Sequence, residues 1–171
     1  MKYVIPILMA VLLISAIFDI RYRRIPNWLN FSAIIIGIVI HTMDAGGGGF
    51  ILAFGGMLLG IGLLIIFYLA GGMGAGDVKL MGVVGAFLGP EGVFIAFLCT
   101  ALVGGIYSLV VLAASRRLGE TVRRYGLIIK SFIMTRQLIL VPPYPGFKLP
   151  VLCYGVAIFA GSVISLFIKP I

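Results

Sequence analysis

Six apolar runs, separated by short polar segments, set the pattern of this chain. A transmembrane helix needs about 20 apolar residues to cross roughly 30 Å of hydrocarbon, so each run predicts one span. The runs cover residues 3–19, 28–42, 50–70, 78–88, 93–114 and 149–168. The fourth run is short for a crossing, and the Gly-Pro-Glu-Gly sequence that follows it predicts a tight turn before the fifth. We therefore expect an all-α, polytopic integral membrane protein with about six transmembrane helices.

Composition and charge support a membrane location and predict an orientation. Hydrophobic residues make up 62% of the 171 residues and charged residues 11%, whereas soluble domains have about 25% charged residues. If the segment after the first run is cytoplasmic, eleven of the thirteen Lys and Arg residues lie on that side. Because basic loops stay in the cytoplasm, this predicts a multi-pass protein of the inner (plasma) membrane with both termini extracytoplasmic. Topology therefore accounts for the net charge of +8, and no nucleic-acid partner is expected.

The longest connection between runs is residues 115–148, and its apolar middle at 127–134 suggests a further span. Lys130 and Arg136 would then lie within the bilayer, at a cost of about 2.5–3.5 kcal/mol each. A basic amphipathic stretch lying in the membrane interface fits better, with an ordinary irregular loop as the alternative. We expect this segment to be cytoplasmic and partly interfacial, and residues 1–171 to form a single membrane domain.

Two of the five acidic residues stand at the ends of predicted spans. Asp44 and Glu91 fall in predicted outer turns and Glu120 lies among arginines, whereas Asp19 ends the first run and Asp77 precedes the fourth. An ionisable residue at such a depth suggests a function. Because the two spans run in opposite directions, both carboxylates are expected at one membrane depth. Two carboxyl groups that share a site divide into an acid and a base, which is the chemistry that amide hydrolysis requires.

Each aspartate also has a purely structural interpretation. Asp19 could pair with Arg23 four residues later, and Asp77 could cap its helix or pair with Lys79. The joint occurrence of the two aspartates at one predicted depth favours the functional interpretation.

The sequence around both aspartates resembles a known family. Gly74-Ala75-Gly76-Asp77, followed by Val-Lys-Leu-Met, resembles the GxGD signature of membrane aspartic proteases in the form found in type IV prepilin peptidases. The segment from Asp19 to Asn27, with its basic residues and Ile-Pro-Asn, is similar to the first motif of that family. The resemblance implies an aspartic endopeptidase that cleaves the basic leader of prepilins at the cytoplasmic membrane face. It also implies that Asp19 and Asp77 are catalytic.

Five further residues are candidates for substrate binding. Glycine lacks a Cβ and lets the backbone pass close to an extended peptide, which suggests this role for Gly74 and Gly76. Their place in the two family-like motifs adds Lys79, Pro26 and Asn27. A phosphate-binding loop is disfavoured for this glycine-rich stretch, because neither an upstream strand nor a following Gly-Lys-Ser/Thr is present.

The spacing of the motifs also indicates which members of the family the chain resembles. Full-length prepilin peptidases carry a zinc-binding methyltransferase segment after their first helix, but only residues 20–26 separate Asp19 from Asn27 here. The resemblance is therefore to short members that serve tight-adherence (Flp) pili and to archaeal preflagellin peptidases, which implies cleavage without methylation. Residues of the last run also resemble the final helix of the short members, in a packing or substrate-contact role: Pro150, Tyr154, Gly155 and Ala157.

Neither a metal nor another cofactor is expected. His41 has no partner ligands in the sequence pattern, and Cys99 and Cys153 lie in apolar runs without a CxxC pair. The expected partners are a prepilin leader and the lipid bilayer, and the sequence does not specify the oligomeric state. A presenilin-like protease would require a Tyr-Asp motif, where this chain has Phe18-Asp19. The non-enzymatic alternative is a small membrane transporter or assembly scaffold with structural aspartates.

Overall fold

The computed structural model describes residues 3–114 and 153–168, and throughout these ranges the regular structure is α-helical. The helices are α1 (Val4–Tyr22), α2 (Asn27–Leu69), α3 (Ala75–Ala114) and α4 (Tyr154–Ile168). The all-α prediction is confirmed for this part of the chain. The predicted cytoplasmic segment at 115–148 lies outside the described residues.

The chain divides into two compact units. The first comprises Met1–Gly105 and Cys153–Ile171, and it contains α1, α2, most of α3 and α4. Of the second unit, Ile106–Leu152, the described part is the end of α3. Both aspartates and all five predicted substrate-binding residues belong to the first unit.

Helices α2 and α3 each contain one break, and a glycine with positive φ lies at both. In α2 the backbone leaves the helical region at Ala45 and Gly46, where Gly46 has φ 58° and ψ −136°. In α3 the break is at Gly89, with φ 71° and ψ −178°, just before Pro90, which has no N–H to donate. Residues with a Cβ rarely adopt these backbone angles, so glycine permits both breaks.

The break in α2 reverses the chain. Residues eight positions apart on a straight helix are about 12 Å apart along the axis. A Cβ added to Gly49 would nevertheless collide with the carbonyl oxygen of His41. The two parts of α2 therefore lie side by side, as the sequence predicted for the runs ending at residue 42 and beginning at residue 50. The tight turn predicted near Gly89 is also present, because a Cβ on Gly60 would contact both Met81, before the break in α3, and Val93, after it.

Within the described residues, three helices are long and apolar enough to cross a membrane by length and composition: α1, α2 and α3 through Val111. Large apolar side chains such as Ile51, Leu102 and Phe167 are mostly exposed, as expected for helices that face lipid. Helix α4, at 15 residues, is shorter. The chain is therefore a helical membrane protein, while six crossings and extracytoplasmic termini remain predictions.

The core of the first unit lies where α1, the two parts of α2, α3 on both sides of its break and α4 pack together. Its largest fully buried side chains include Phe87, Leu8 and Leu12. Close backbone contact strengthens this packing, since a Cβ on Gly56 would collide with the carbonyl oxygen of Gly85. The core fixes the start of α3, and therefore Asp77, against its neighbours.

Candidate active site

Asp19 lies in the last turn of α1, where its side chain is 8% exposed. Its Oδ2 accepts a hydrogen bond of 2.8 Å from the backbone N–H of Gly155. Gly155 is the second residue of α4, and the first N–H groups of a helix have no partner within the helix. These groups and the helix dipole stabilise an anion at that position. The start of α4 therefore compensates in part for burying the Asp19 carboxylate.

Gly155 allows this contact because it has no side chain. A Cβ at this position would lie 2.9 Å from Asp19 Oδ2 and 3.0 Å from Asp19 Cβ. Both distances are shorter than van der Waals contact, so any larger residue must displace either the carboxylate or α4. The sequence analysis gave Gly155 either a packing or a substrate-contact role. In the structure Gly155 lies directly against Asp19.

Arg23 contacts Asp19 through the backbone. Its N–H donates to the Asp19 carbonyl oxygen at 2.8 Å, and its left-handed conformation, with φ 52°, ends α1. The chain then turns towards α2 through Ile25, which is buried and lies next to Gly76. This connection brings the region after Asp19 into contact with the residue before Asp77.

Asp77 is the third residue of α3 and is also 8% exposed. Its Oδ2 accepts a hydrogen bond of 3.1 Å from the N–H of Gly74, and its own N–H donates to the Gly74 carbonyl oxygen at 3.1 Å. A side chain in the third position that accepts from the residue before the helix is half of a capping box. The capping role expected from the structural interpretation of Asp77 is therefore present, and it fixes the orientation of the carboxylate.

The two aspartates belong to one region of the fold. The connection that follows Asp19 packs against the residue before Asp77, since Ile25 lies next to Gly76. Each carboxylate has one oxygen held by a backbone N–H, so the direction of its second oxygen is fixed as well. This arrangement can hold two carboxyl groups in the fixed orientation that acid–base chemistry requires.

The predicted substrate-binding residues lie around the turn that carries Asp77. Lys79 Nζ donates to Asn27 Oδ1 at 2.8 Å and lies 5.3 Å from the centre of the Phe31 ring. Pro26 precedes α2 in an extended conformation, with φ −61° and ψ 134°. Lys79 thus contacts the Ile-Pro-Asn segment, whereas the structural interpretation had paired it with Asp77.

Asn30 is a residue that the sequence interpretation missed. It is fully buried, and its Nδ2 donates to the carbonyl oxygen of Gly76 at 3.3 Å. Its Oδ1 has no hydrogen-bond partner. An asparagine inside a predicted span was the available signal, because buried polar groups within a membrane are expensive and often functional.

No group of three or more His, Cys, Asp and Glu residues within 3–114 and 153–168 is arranged to hold a metal ion. The ring Nε2 of His41 lies 2.9 Å from the carbonyl oxygen of Phe87. This contact joins α2 to α3 just before the break at Gly89, which is a structural role.

A helical membrane protein that gathers two buried carboxylates at helix ends has the architecture expected of a membrane aspartic protease. The type IV leader peptidase family matches residues 6–109, which include both aspartates, and the chain belongs to this family. This finding confirms the resemblance carried by the two motifs and supports a protease that processes type IV leader sequences. Neither a curated protein nor a solved structure matches the chain.

Proposed function

We propose that this protein is an aspartic endopeptidase that cleaves the basic leader of type IV, Flp-like prepilins at the cytoplasmic membrane face, without methylation activity. In this proposal Asp19 and Asp77 are the catalytic residues. The observation that carries it is the pair of buried carboxylates, each oriented by a hydrogen bond from a backbone N–H. Membership of the leader peptidase family supplies the substrate class.

The proposed mechanism uses one ionised and one protonated carboxyl group. The ionised group removes a proton from water as the water oxygen attacks the scissile carbonyl carbon. The protonated group donates a hydrogen bond to the carbonyl oxygen, where negative charge develops. Collapse of the tetrahedral intermediate breaks the C–N bond, and a carboxyl group returns the proton to the leaving amine. Because the pair titrates as a unit, neither aspartate is assigned one fixed role.

The substrate is proposed to approach along the turn at Gly74 and Gly76, with Lys79, Pro26 and Asn27 contributing contacts. The short connection between α1 and α2 supports cleavage without methylation, because residues 23–26 alone separate the two helices. We further propose a multi-pass protein of the inner (plasma) membrane, in which residues 1–171 form one peptidase domain.

A second candidate function is a small membrane transporter or assembly scaffold in which both aspartates are structural. The capping contact of Asp77 with Gly74 and the contact of Asp19 with the start of α4 favour it. In that case the carboxylates would only stabilise helix ends, which asparagine does almost as well.

Substitution by asparagine separates the two candidates. Asp19→Asn and Asp77→Asn keep an oxygen that can accept from Gly155 or Gly74, so the helix ends stay capped. Each variant would be coexpressed with a prepilin, and the mass of the processed terminus measured. We expect cleavage to fall by about 10²–10⁴-fold, the contribution of acid–base catalysis. Asp44→Asn is the matched control and should cleave normally, whereas full cleavage by the Asp19 or Asp77 variant would remove the protease proposal.

A further inference from the structure

We infer that Asn30 is a positioning residue that holds the turn bearing Asp77 in its reactive orientation, at the expense of stability. The inference rests on the proposed function and concerns a residue that does not itself touch substrate. Asn30 is fully buried on α2, one turn beyond Asn27, and its amide points to the peptide unit that joins Gly76 to Asp77.

That peptide unit is held from both sides. The Gly76 carbonyl oxygen accepts from Asn30 Nδ2 at 3.3 Å, and the Asp77 N–H donates to the Gly74 carbonyl oxygen at 3.1 Å. The Asp77 side chain then accepts from the Gly74 N–H. The Asn30 side chain, on α2, thus fixes the plane of the peptide unit between Gly76 and Asp77. Ile25 packs against Gly76 at the same place.

Stability alone does not explain an asparagine at this position. The Gly76 carbonyl lies in the first turn of α3, where the helix itself supplies a donor four residues later. The 3.3 Å hydrogen bond from Asn30 is therefore a second one to this oxygen. Its Oδ1 is buried without a partner, which is unfavourable because the oxygen has lost its hydration. An apolar side chain of similar shape would avoid that loss.

Leucine is the side chain that tests this reasoning, because it has nearly the same shape as asparagine and no polar atoms. We expect Asn30→Leu to fold with an unchanged or higher melting temperature and to lower kcat about 10–100-fold, since a misplacement of about 1 Å costs about 10²-fold. KM should change by less than about threefold, because Asn30 does not contact substrate. Amide hydrogen exchange at residues 74–80 should become faster.

Thr100→Val is the matched control. Thr100 on α3 is also buried with an unpartnered oxygen, Oγ1, and valine has its shape. This variant should likewise keep or raise the melting temperature, but leave kcat and exchange at residues 74–80 unchanged. If leucine is too large for the position and prevents folding, Asn30→Ala replaces it, with the same expected loss of kcat per folded molecule.

Two results would overturn the inference: wild-type kcat in the folded Asn30 variant, or a loss of activity matched by a loss of melting temperature. Asp19→Asn and Asp77→Asn are measured in the same series. If these two variants cleave normally, the proposed protease function fails. Hydrogen exchange at residues 74–80 still decides whether Asn30 holds the Asp77 turn, since that measurement needs no cleavage.

Discussion

The contact between α4 and Asp19 makes Gly155→Ala the most informative change outside the two carboxylates. The added methyl group would lie 2.9 Å from Asp19 Oδ2, 3.0 Å from its Cβ and 3.2 Å from its Cγ. Ordinary van der Waals contact requires about 3.5–4.0 Å. Asp19 or the start of α4 must therefore move by roughly 0.5–1 Å, which is enough to weaken the 2.8 Å hydrogen bond from the Gly155 N–H.

The expected loss of activity follows from this displacement. A misplacement of about 1 Å in a catalytic group costs on the order of 10²-fold in rate, or about 2.7 kcal/mol in transition-state free energy. A hydrogen bond to a charged group contributes about 1.5–3 kcal/mol, so part of this loss should also appear in stability. We expect kcat for leader cleavage to fall about 30–100-fold.

Two glycine variants separate activity from packing. Gly62→Ala places its methyl group in open space, with no atom within 4 Å, and should behave as wild type. Gly161→Ala changes the same helix as Gly155, and its added methyl group would collide with Thr100. This variant should lower stability without a comparable loss of cleavage activity per folded molecule. Kinetics would be measured on purified protein in proteoliposomes, normalised to the folded fraction. Wild-type kcat and stability for Gly155→Ala would refute the role given to this contact.

Two further predictions concern residues near the aspartates. Cys153 is half-buried and lies two residues before Gly155, which contacts Asp19. A bulky maleimide on its thiol should therefore block cleavage. Cys153→Ser should resist the reagent, and inhibition that persists in this variant would show that the relevant thiol is elsewhere. Arg23 has φ 52°, and a left-handed conformation costs a residue with a Cβ about 1–2 kcal/mol. Glycine removes this cost, but its greater freedom in the unfolded chain offsets part of the gain. Arg23→Gly should therefore raise the free energy of unfolding by up to about 1 kcal/mol, measured by thermal denaturation in detergent. A clear loss of stability would contradict this account.

Much of the fold followed from local patterns. The apolar runs predicted helices, and Gly89-Pro90 predicted the break in α3 because glycine adopts positive φ and proline lacks an N–H. Asp44 was expected in an outer turn, but residues 47–49 are helical and the break is confined to Ala45 and Gly46. Two adjacent non-helical residues, one of them at positive φ, are sufficient to reverse the direction of the helix.

The contacts that orient the two carboxylates could not be predicted in this way. Asp19 meets Gly155 across 136 positions, and Asn30 meets Gly76 across 46. Hydrophobic periodicity reports which face of one helix is buried, and it does not specify which helices become neighbours. The capping contact of Asp77 was predictable because its partner, Gly74, is three residues away.

The central claim is that Asp19 and Asp77 act as one catalytic pair, and a double-mutant comparison tests it most directly. Cleavage of a prepilin leader would be measured with purified wild type, each single Asn variant and the variant carrying both changes. Residues that act as a unit show strongly non-additive losses, so we expect each single change to abolish nearly all activity and the second change to add almost nothing. A wild-type rate in either single variant, or a double loss equal to the product of two partial losses, would contradict the account.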